Sequence, residues 1–403
     1  MAYNAGTIAS PSTVDKATGK AQLVQFHYNK KAIIDIKDEM IFAQLSGTTG
    51  IPKNQGKEIV KHRIVPILDD ANAVAGSGIG TDGVTLTDGN LYGSSRSVGV
   101  ITGKLPALGE TSGRANKVSM SRQERRGTIV NQGLFTEYSK DELAFDSDPM
   151  LKEHITRETV RAAAQVNEDY LAIQLTTKAG INYFAGTATS IATVDQLSVP
   201  TIQDLYRLDI MLDNNKCPKD TTVITGSRLI DTKTVQSARY MFISPDVKMD
   251  FMAIKAMNGV DDAFISVERY SDANANGKYI KAIAGEIGKV GPFRLVVHPK
   301  MINRAGEGAA WVTNATNDLF RNTSAKFDVY ANMVIGSGSF THLAFEYGAG
   351  TTGAFNVKHK TPEELRTREN PYAKFGMTII EFWSGVLVER PEWIANYFTA
   401  SKI

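Results

Sequence analysis

Six histidines, a single cysteine and a few aspartate clusters are the residues with which this chain could do chemistry. The histidines are His27, His62, His154, His298, His342 and His359, and no two stand at a metal-ligand spacing. Cys217 precedes Pro218 and has no histidine near it in sequence, so a thiolate nucleophile has no base beside it. A lone cysteine also excludes an internal disulfide and a Cys-rich zinc site. Asp69, Asp70, Asp82 and Asp88 do not follow the every-second-residue spacing of a calcium loop. Gly78, Gly80 and Gly83 match a dinucleotide-binding pattern. That pattern works only where it opens a helix whose N-terminus meets the pyrophosphate. Here VTLTDGN (Val84 to Asn90) follows, which is not helical. The phosphate-cradling loop is missed twice. Gly99 to Lys104 is one residue short and Gly50 to Lys57 one too long, and neither lysine precedes Ser or Thr. No nucleophile elbow occurs. The residues point to no catalysis, no cofactor and no metal.

The elements around them are mechanical. Residues 1 to about 27 are a polar arm without period. Ile33, Ile36, Met40 and Ala43 predict a short amphipathic helix that stops at Ser46-Gly47. Glu58 to Pro66 is strand-like. Gly76 to Gly113 then holds ten glycines in 38 residues, where ordinary usage predicts roughly three. Such a segment cannot build a core of its own. Lys117 to Phe135 regains β character, so strand, glycine-rich tip and returning strand form one long hairpin. Asp148 and Pro149 suit the start of a helix that runs to Gly180. Ile155, Thr159, Ala162, Val166, Tyr170, Ile173 and Thr177 are its expected buried stripe. A helix of about thirty residues spans about 45 Å, a strut laid along a sheet or a neighbour. A second helix starts at Thr201, capped with Asp204, and buries Ile202, Leu205, Leu208 and Met211 or Leu212. Short strands follow, including 222–225, 264–269, 279–284, 293–298, 340–346 and 377–389. Thr361-Pro362-Glu363-Glu364 predicts a short helix to about Arg368. The pattern is α+β.

Composition bounds the function classes. Forty-five basic and 43 acidic residues leave a net charge of +2, without the basic footprint of a dedicated nucleic-acid binder. Hydrophobic residues make up 42%, ordinary for a folded chain. No apolar run approaches the ~18 residues of a membrane span, and the first twenty residues have no secretory apolar stretch. Charge is segregated along the chain. Arg114, Lys117, Arg122, Arg125 and Arg126 oppose Glu124 alone, whereas Glu137, Asp141, Glu142, Asp146 and Asp148 oppose Lys140 alone. Two solvated faces would explain this, and so would a basic loop docking on an acidic edge of a neighbouring copy. On the second reading Arg114, Lys117, Arg122, Arg125, Arg126, Glu137, Asp141 and Glu142 are the intersubunit contacts. Exposed pairs of this kind set register and partner choice more than affinity.

The order of parts resembles a known family. GIGTDGVTLTDGNLYG (Gly78 to Gly93), SRQERRGTIVNQGLF (Ser121 to Phe135), the long helix from Asp148 and AGEIGKVGPFRLVVHP (Ala284 to Pro299) carry the resemblance. Over the whole chain it is similar to tailed-bacteriophage major capsid proteins of the Hong Kong phage type, and more closely to the family named for the N-four-like podoviruses. Ser94-Ser95-Arg96 stands where more acidic residues are expected in that family, a departure from its pattern. The resemblance implies an N-terminal arm and entry to a peripheral domain (1–55) and an extended loop over a neighbour (56–136). It implies a peripheral domain (137–199) with a spine helix (149–179), a mainly axial domain (200–375) and a C-terminal return to the peripheral domain (376–403). It implies a structural protein that self-assembles into hexamers and pentamers of an icosahedral shell in the host bacterial cytoplasm. The partners it implies are other copies, packaged double-stranded DNA held without sequence specificity, and scaffolding, portal and decoration proteins, with no membrane. An encapsulin-like compartment shell shares the fold class. An enzyme with an unrecognised site would need convergent acids, bases or phosphate loops that the sequence lacks, and a surface-layer protein an export signal.

Overall fold

The computed structural model describes residues 42–52, 56–64, 122–145, 151–224, 232–235, 239–267, 285–313, 316–348, 351–352, 356–368 and 370–402. The polar arm, most of the first expected helix, the glycine-rich tip, the Asp148-Pro149 cap and the expected 279–284 strand lie outside these residues.

In chain order, β1 (Thr48–Ile51), β2 (Glu58–Ile64) and β3 (Arg122–Ser139) precede α1 (Lys140–Phe145) and the 28-residue α2 (Leu151–Lys178). Next come β4 (Ile181–Phe184), α3 (Ile202–Asn214), β5 (Thr221–Ile224), β6 (Thr232–Val235), β7 (Arg239–Ile243), α4 (Lys248–Met252) and β8 (Phe264–Ser266). The chain continues through β9 (Glu286–Val290), β10 (Phe293–Val297), β11 (Asn303–Arg304), β12 (Asn322–Thr323), β13 (Lys326–Phe327) and β14 (Val329–Ile335). It closes with β15 (Phe340–Gly348), β16 (Thr351–Thr352), β17 (Asn356–Lys360), β18 (Phe375–Val388) and β19 (Ile394–Thr399).

Two mixed sheets organise the chain. The first runs β1-β15-β18-β3-β2, with β16 on β15 and β17 on β18. The second runs β4-β19-β14-β7-β10-β9-β8, with β11 on β14. The expected domain boundary at residue 375 therefore falls inside the first sheet, and the C-terminal β19 lies within the second. β7, β14 and β19 are buried throughout, the pattern of central strands covered on both faces. α3 covers the second sheet with Ile202, Leu205, Leu208 and Leu212, as its period predicts. Its cap is half of the expected box. Thr201 accepts from the Asp204 amide, while the Asp204 carboxylate receives the Tyr183 hydroxyl at 3.0 Å and the Tyr397 hydroxyl at 3.3 Å.

α2 ties the sheets together. Ala163 packs with Ile380 and Phe382 of β18. Leu171, Ala172 and Leu175 pack with Tyr240 and Phe242 of β7, Met333 of β14 and Val386 of β18. The buried side of this helix differs from the expected stripe. Thr159, Ala163, Asn167, Leu171 and Leu175 are buried, whereas Val166, Ile173 and Thr177 are exposed. Polar side chains occupy buried positions because they find partners there. Asn167 Oδ1 accepts from Ser384 Oγ at 2.5 Å, and Glu168 Oε1 accepts the Phe42 amide at 2.5 Å. An apolarity count passes over such positions, so the expected stripe sits about one residue, or 100°, round the helix. The expected helix at 361–368 is one turn. Glu364 reaches back to the Thr361 amide at 3.1 Å, yet the turn does not propagate, consistent with the cost of helix nucleation.

Candidate functional site

Among the described residues, those capable of chemistry do not converge. Among the described residues no three of His, Cys, Asp and Glu could hold a metal ion. His62 is exposed at the ribbon, with Nδ1 4.0 Å from Glu124. His359 Nδ1 is 3.1 Å from Thr378 Oγ1, and His298 is buried edge-on to Phe42. His342 is partly buried in the first sheet, and desolvation lowers its pKa to about 4. Cys217 is buried, and burial pushes its thiol up to about 11, the reverse of an activated nucleophile. Its carbonyl accepts from buried Arg239, whose guanidinium also pairs with Asp209 and Asp213. That cluster joins α3 to β7 and has a structural role.

The features that remain belong to β3. Its 18 residues serve two roles in succession. From Arg122 to Thr128 it pairs with β2 as a two-stranded ribbon, and from Ile129 to Ser139 it pairs with β18 inside the first sheet. The even-numbered side chains of the ribbon (Val60, His62, Ile64, Arg122, Glu124 and Arg126) are exposed. The odd-numbered Lys61 and Arg63 turn back onto the body. Lys61 Nζ meets Glu389 at 2.7 Å, and Arg63 Nη1 meets buried Glu392 at 2.5 Å. Burial alone would raise Glu389, but hydrogen bonds from Lys61 and Thr341 outweigh it and hold the carboxyl below its ordinary value. Gly127 marks the root of the ribbon. A Cβ there would stand 2.7 Å from Leu343 Cδ1 and 2.9 Å from Leu387 Cβ. The absent side chain lets the strand lie on a core of Ile51, Ile129, Leu343 and Leu387.

Arg114 and Lys117 lie outside the described residues. Arg122 is exposed, and Arg126 is exposed with Glu124 at 3.2 Å and Glu58 at 3.9 Å. Arg125 is on the opposite side of the strand and half-buried. Glu137 is exposed near the far end of β3, and Asp141 is exposed in the first turn of α1. Glu142 has a local role besides its charge. It accepts the Ser139 amide at 2.9 Å while Ser139 Oγ accepts the Glu142 amide at 3.0 Å, a reciprocal capping box. Fifteen residues of extended chain separate Arg122 from Glu137, about 50 Å. The basic and acidic groups thus stand near opposite ends of one rigid strand, and one copy does not bring them together. Sequence reasoning passed over Lys61, Arg63 and Gly127. The glycine standing between the charged Arg122–Arg126 stretch and the β-branched Thr128, Ile129 and Val130 was the available signal.

Comparison with known proteins supplies the wider frame. The model of a phage capsid protein family matches residues 123–395. A major capsid protein of Pseudomonas phage KPP21 is 37% identical over 403 residues, covering 100% of this chain and 98% of the relative. The fold is similar to the capsid of Ralstonia phage GP4, with a TM-score of 0.57, 11% identity and coverage of 94% and 96% of the two chains. It is also similar to the head structure of Helicobacter pylori bacteriophage KHP40, with a TM-score of 0.52, 8% identity and full coverage of both at 100%. At such identities the structural likeness speaks for the fold alone.

Proposed function

The chain belongs to the phage capsid protein family, and from that premise we propose that it assembles as hexamers and pentamers of an icosahedral shell around double-stranded DNA. It is a bacteriophage major capsid protein, a structural component of the virion shell and not an enzyme. The full-length match at 37% identity carries this reading. The finer assignment, to the N-four-like capsids and the Hong Kong phage-type layout, rests on the motif strings and the order of parts. In that layout residues 1–55 are the arm, the ribbon and residues to 136 the extended loop, and α2 the spine helix. Residues 137–199 are the peripheral domain, 200–375 mainly the axial domain and 376–403 the C-terminal return to the peripheral domain. Assembly takes place in the host cytoplasm. Portal, scaffolding and decoration proteins complete the particle, and DNA is enclosed without sequence readout.

The mechanism is interlocking. The ribbon leaves the body with its charged face exposed, and Arg122 and Glu137 of β3 are held about 50 Å apart within a copy. A head-to-tail contact lets Arg122, Arg125 and Arg126 of one copy approach Glu137, Asp141 and Glu142 of the next, together with Arg114 and Lys117 beyond the ribbon. Contacts of this heterologous kind close into rings. Negative-stain electron microscopy and size-exclusion mass on the protein, expressed with its phage head partners, test the proposal. Closed shells, tubes or rings of five and six are expected. A compact dimer or tetramer that never assembles refutes it.

A further inference from the structure

Among the described residues the chain crosses between the two sheets three times. It passes from β3 through α2 to β4, from β14 through residues 336–339 to β15, and from β18 through residues 389–393 to β19. The last crossing is fastened to the other two. The Gly180 amide, just past α2, donates to the Pro391 carbonyl at 2.9 Å. The Gly336 amide donates to the Trp393 carbonyl at 2.9 Å, and the Glu389 and Arg390 amides both donate to the Ser339 carbonyl at 2.9 Å. Gly336 has no room for a side chain, because a Cβ would stand 2.6 Å from Cys217 Sγ and 3.1 Å from Trp393 Cβ. The two strand-to-strand crossings therefore lie flush against each other.

Two further elements end on the same five residues. The Trp393 indole, with the Arg390 guanidinium 4.0 Å over its ring, donates Nε1–H to the Asn215 carbonyl at 2.9 Å. Asn215 is the C-cap of α3, where carbonyls lack partners within the helix. The ribbon arrives through Lys61 on Glu389 and Arg63 on buried Glu392. One short linker thus gathers the ribbon, the exits of α2 and α3, and both strand-to-strand crossings. Its hold is polar. Glu389, Arg390, Pro391 and Trp393 are only partly buried, whereas β14 and β19 beside it are buried throughout. A segment held in this way opens at lower cost than the core strands do.

We infer that residues 389–393 are a coupling joint, through which the state of the ribbon is felt at the second sheet. The joint has two states, docked on its partners or lifted from them, with both sheets folded in each. Arg63 biases that equilibrium from the first sheet. Without its guanidinium the Glu392 carboxylate would be left buried and uncompensated, so the linker lifts to hydrate it. Lifting withdraws the Pro391 carbonyl from Gly180, the Trp393 carbonyl from Gly336 and the indole from the end of α3. Trp393 biases the same equilibrium from the second sheet. Sites that share one local opening influence each other in both directions. Arg63 and Trp393 are therefore positioning residues for elements that neither belongs to, and a contact that tilts the ribbon changes the order of the α3 end.

Hydrogen exchange read by mass spectrometry on the unassembled full chain tests the coupling. In Arg63→Met, exchange is expected to rise about fivefold or more in peptides covering 179–184, 213–217 and 336–340, with peptides from β14 unchanged. Arg126→Met is the control, because Arg126 pairs only with exposed Glu58 and Glu124 on the ribbon itself. It is expected to leave those three segments at their wild-type rates. Trp393→Phe removes the indole donor at the opposite end, and it is expected to speed exchange at residues 58–64. That variant also keeps the test open if Arg63→Met does not fold. A rise confined to the ribbon in Arg63→Met overturns the inference, as does an unchanged ribbon in Trp393→Phe. An equal rise in β14 overturns it as well, since the effect is then one of overall stability. Arg126→Met matching Arg63→Met overturns it too, because any ribbon defect would then suffice.

Discussion

Acid should loosen the junction of α2 with the first sheet, and the cause lies at His342. The Ser384 hydroxyl has one proton, and its 2.5 Å bond to Asn167 Oδ1 uses it. His342 Nε2 must then donate to Ser384 Oγ, 3.3 Å away, so the neutral ring carries its proton on Nε2. A second proton would have to enter at Nδ1 in a partly desolvated site. Desolvation accordingly lowers the folded pKa to about 4, against an unfolded value of 6.5. The sign follows from linkage. The unfolded chain takes up the proton first as pH falls, so stability is complete above pH 6.5 and declines toward pH 4. The fall from 6.5 to about 4 corresponds to a loss of about 3 kcal/mol once both states are protonated, and about 2 kcal/mol is already lost at pH 5. Urea unfolding of the unassembled chain at pH 7.5, 6, 5 and 4.5 measures it, with His342→Gln as the control. The variant lacks the titrating ring but retains a donor for Ser384, and its stability should fall less steeply by about 2 kcal/mol at pH 5. Parallel pH profiles for the two proteins would refute the assignment of this acid sensitivity to His342.

Three further outcomes follow from the packing. Leu171→Ala should cost about 2–5 kcal/mol because it empties a fully buried site between the two sheets. Ile173→Ala, two residues on but exposed, should stay within about 0.5 kcal/mol in the unassembled chain; thermal melts of the pair report which face of α2 is buried. Gly127→Ala should cost about 1–3 kcal/mol, since its Cβ would push on Leu343 and Leu387. Faster hydrogen exchange at the ribbon root should accompany that loss. Arg239→Met should lower stability by about 3 kcal/mol, since Asp209 keeps only Lys219 at 3.8 Å and the Cys217 carbonyl loses the Arg239 donor, and Asp209→Asn combined with it should recover part of the loss.

Local chemistry was legible in the chain alone. The periods of β2, α3 and β18, the Thr201 cap and the stop after α2 depend on residues within about four positions of one another, and they appear where the sequence predicts them. The charge segregation around β3 was equally visible, because it is composition along a line. The buried side of α2 was not. It was decided by Ser384, 217 residues from Asn167 in sequence, and by the Phe42 amide, 126 residues from Glu168; these partners made polar positions the inward ones. The faces of β3 belong to the same class. Alternation states that successive side chains point opposite ways, but only the register with β18 and the contact with α2 say which way is outward. The burial of Cys217, the Lys61–Glu389 anchor and the exposed row at Phe135 likewise arise from strands brought together across the chain. Short-range preference is a property of neighbouring residues, whereas burial and register are properties of the packed whole, which is why tertiary structure alone decided them.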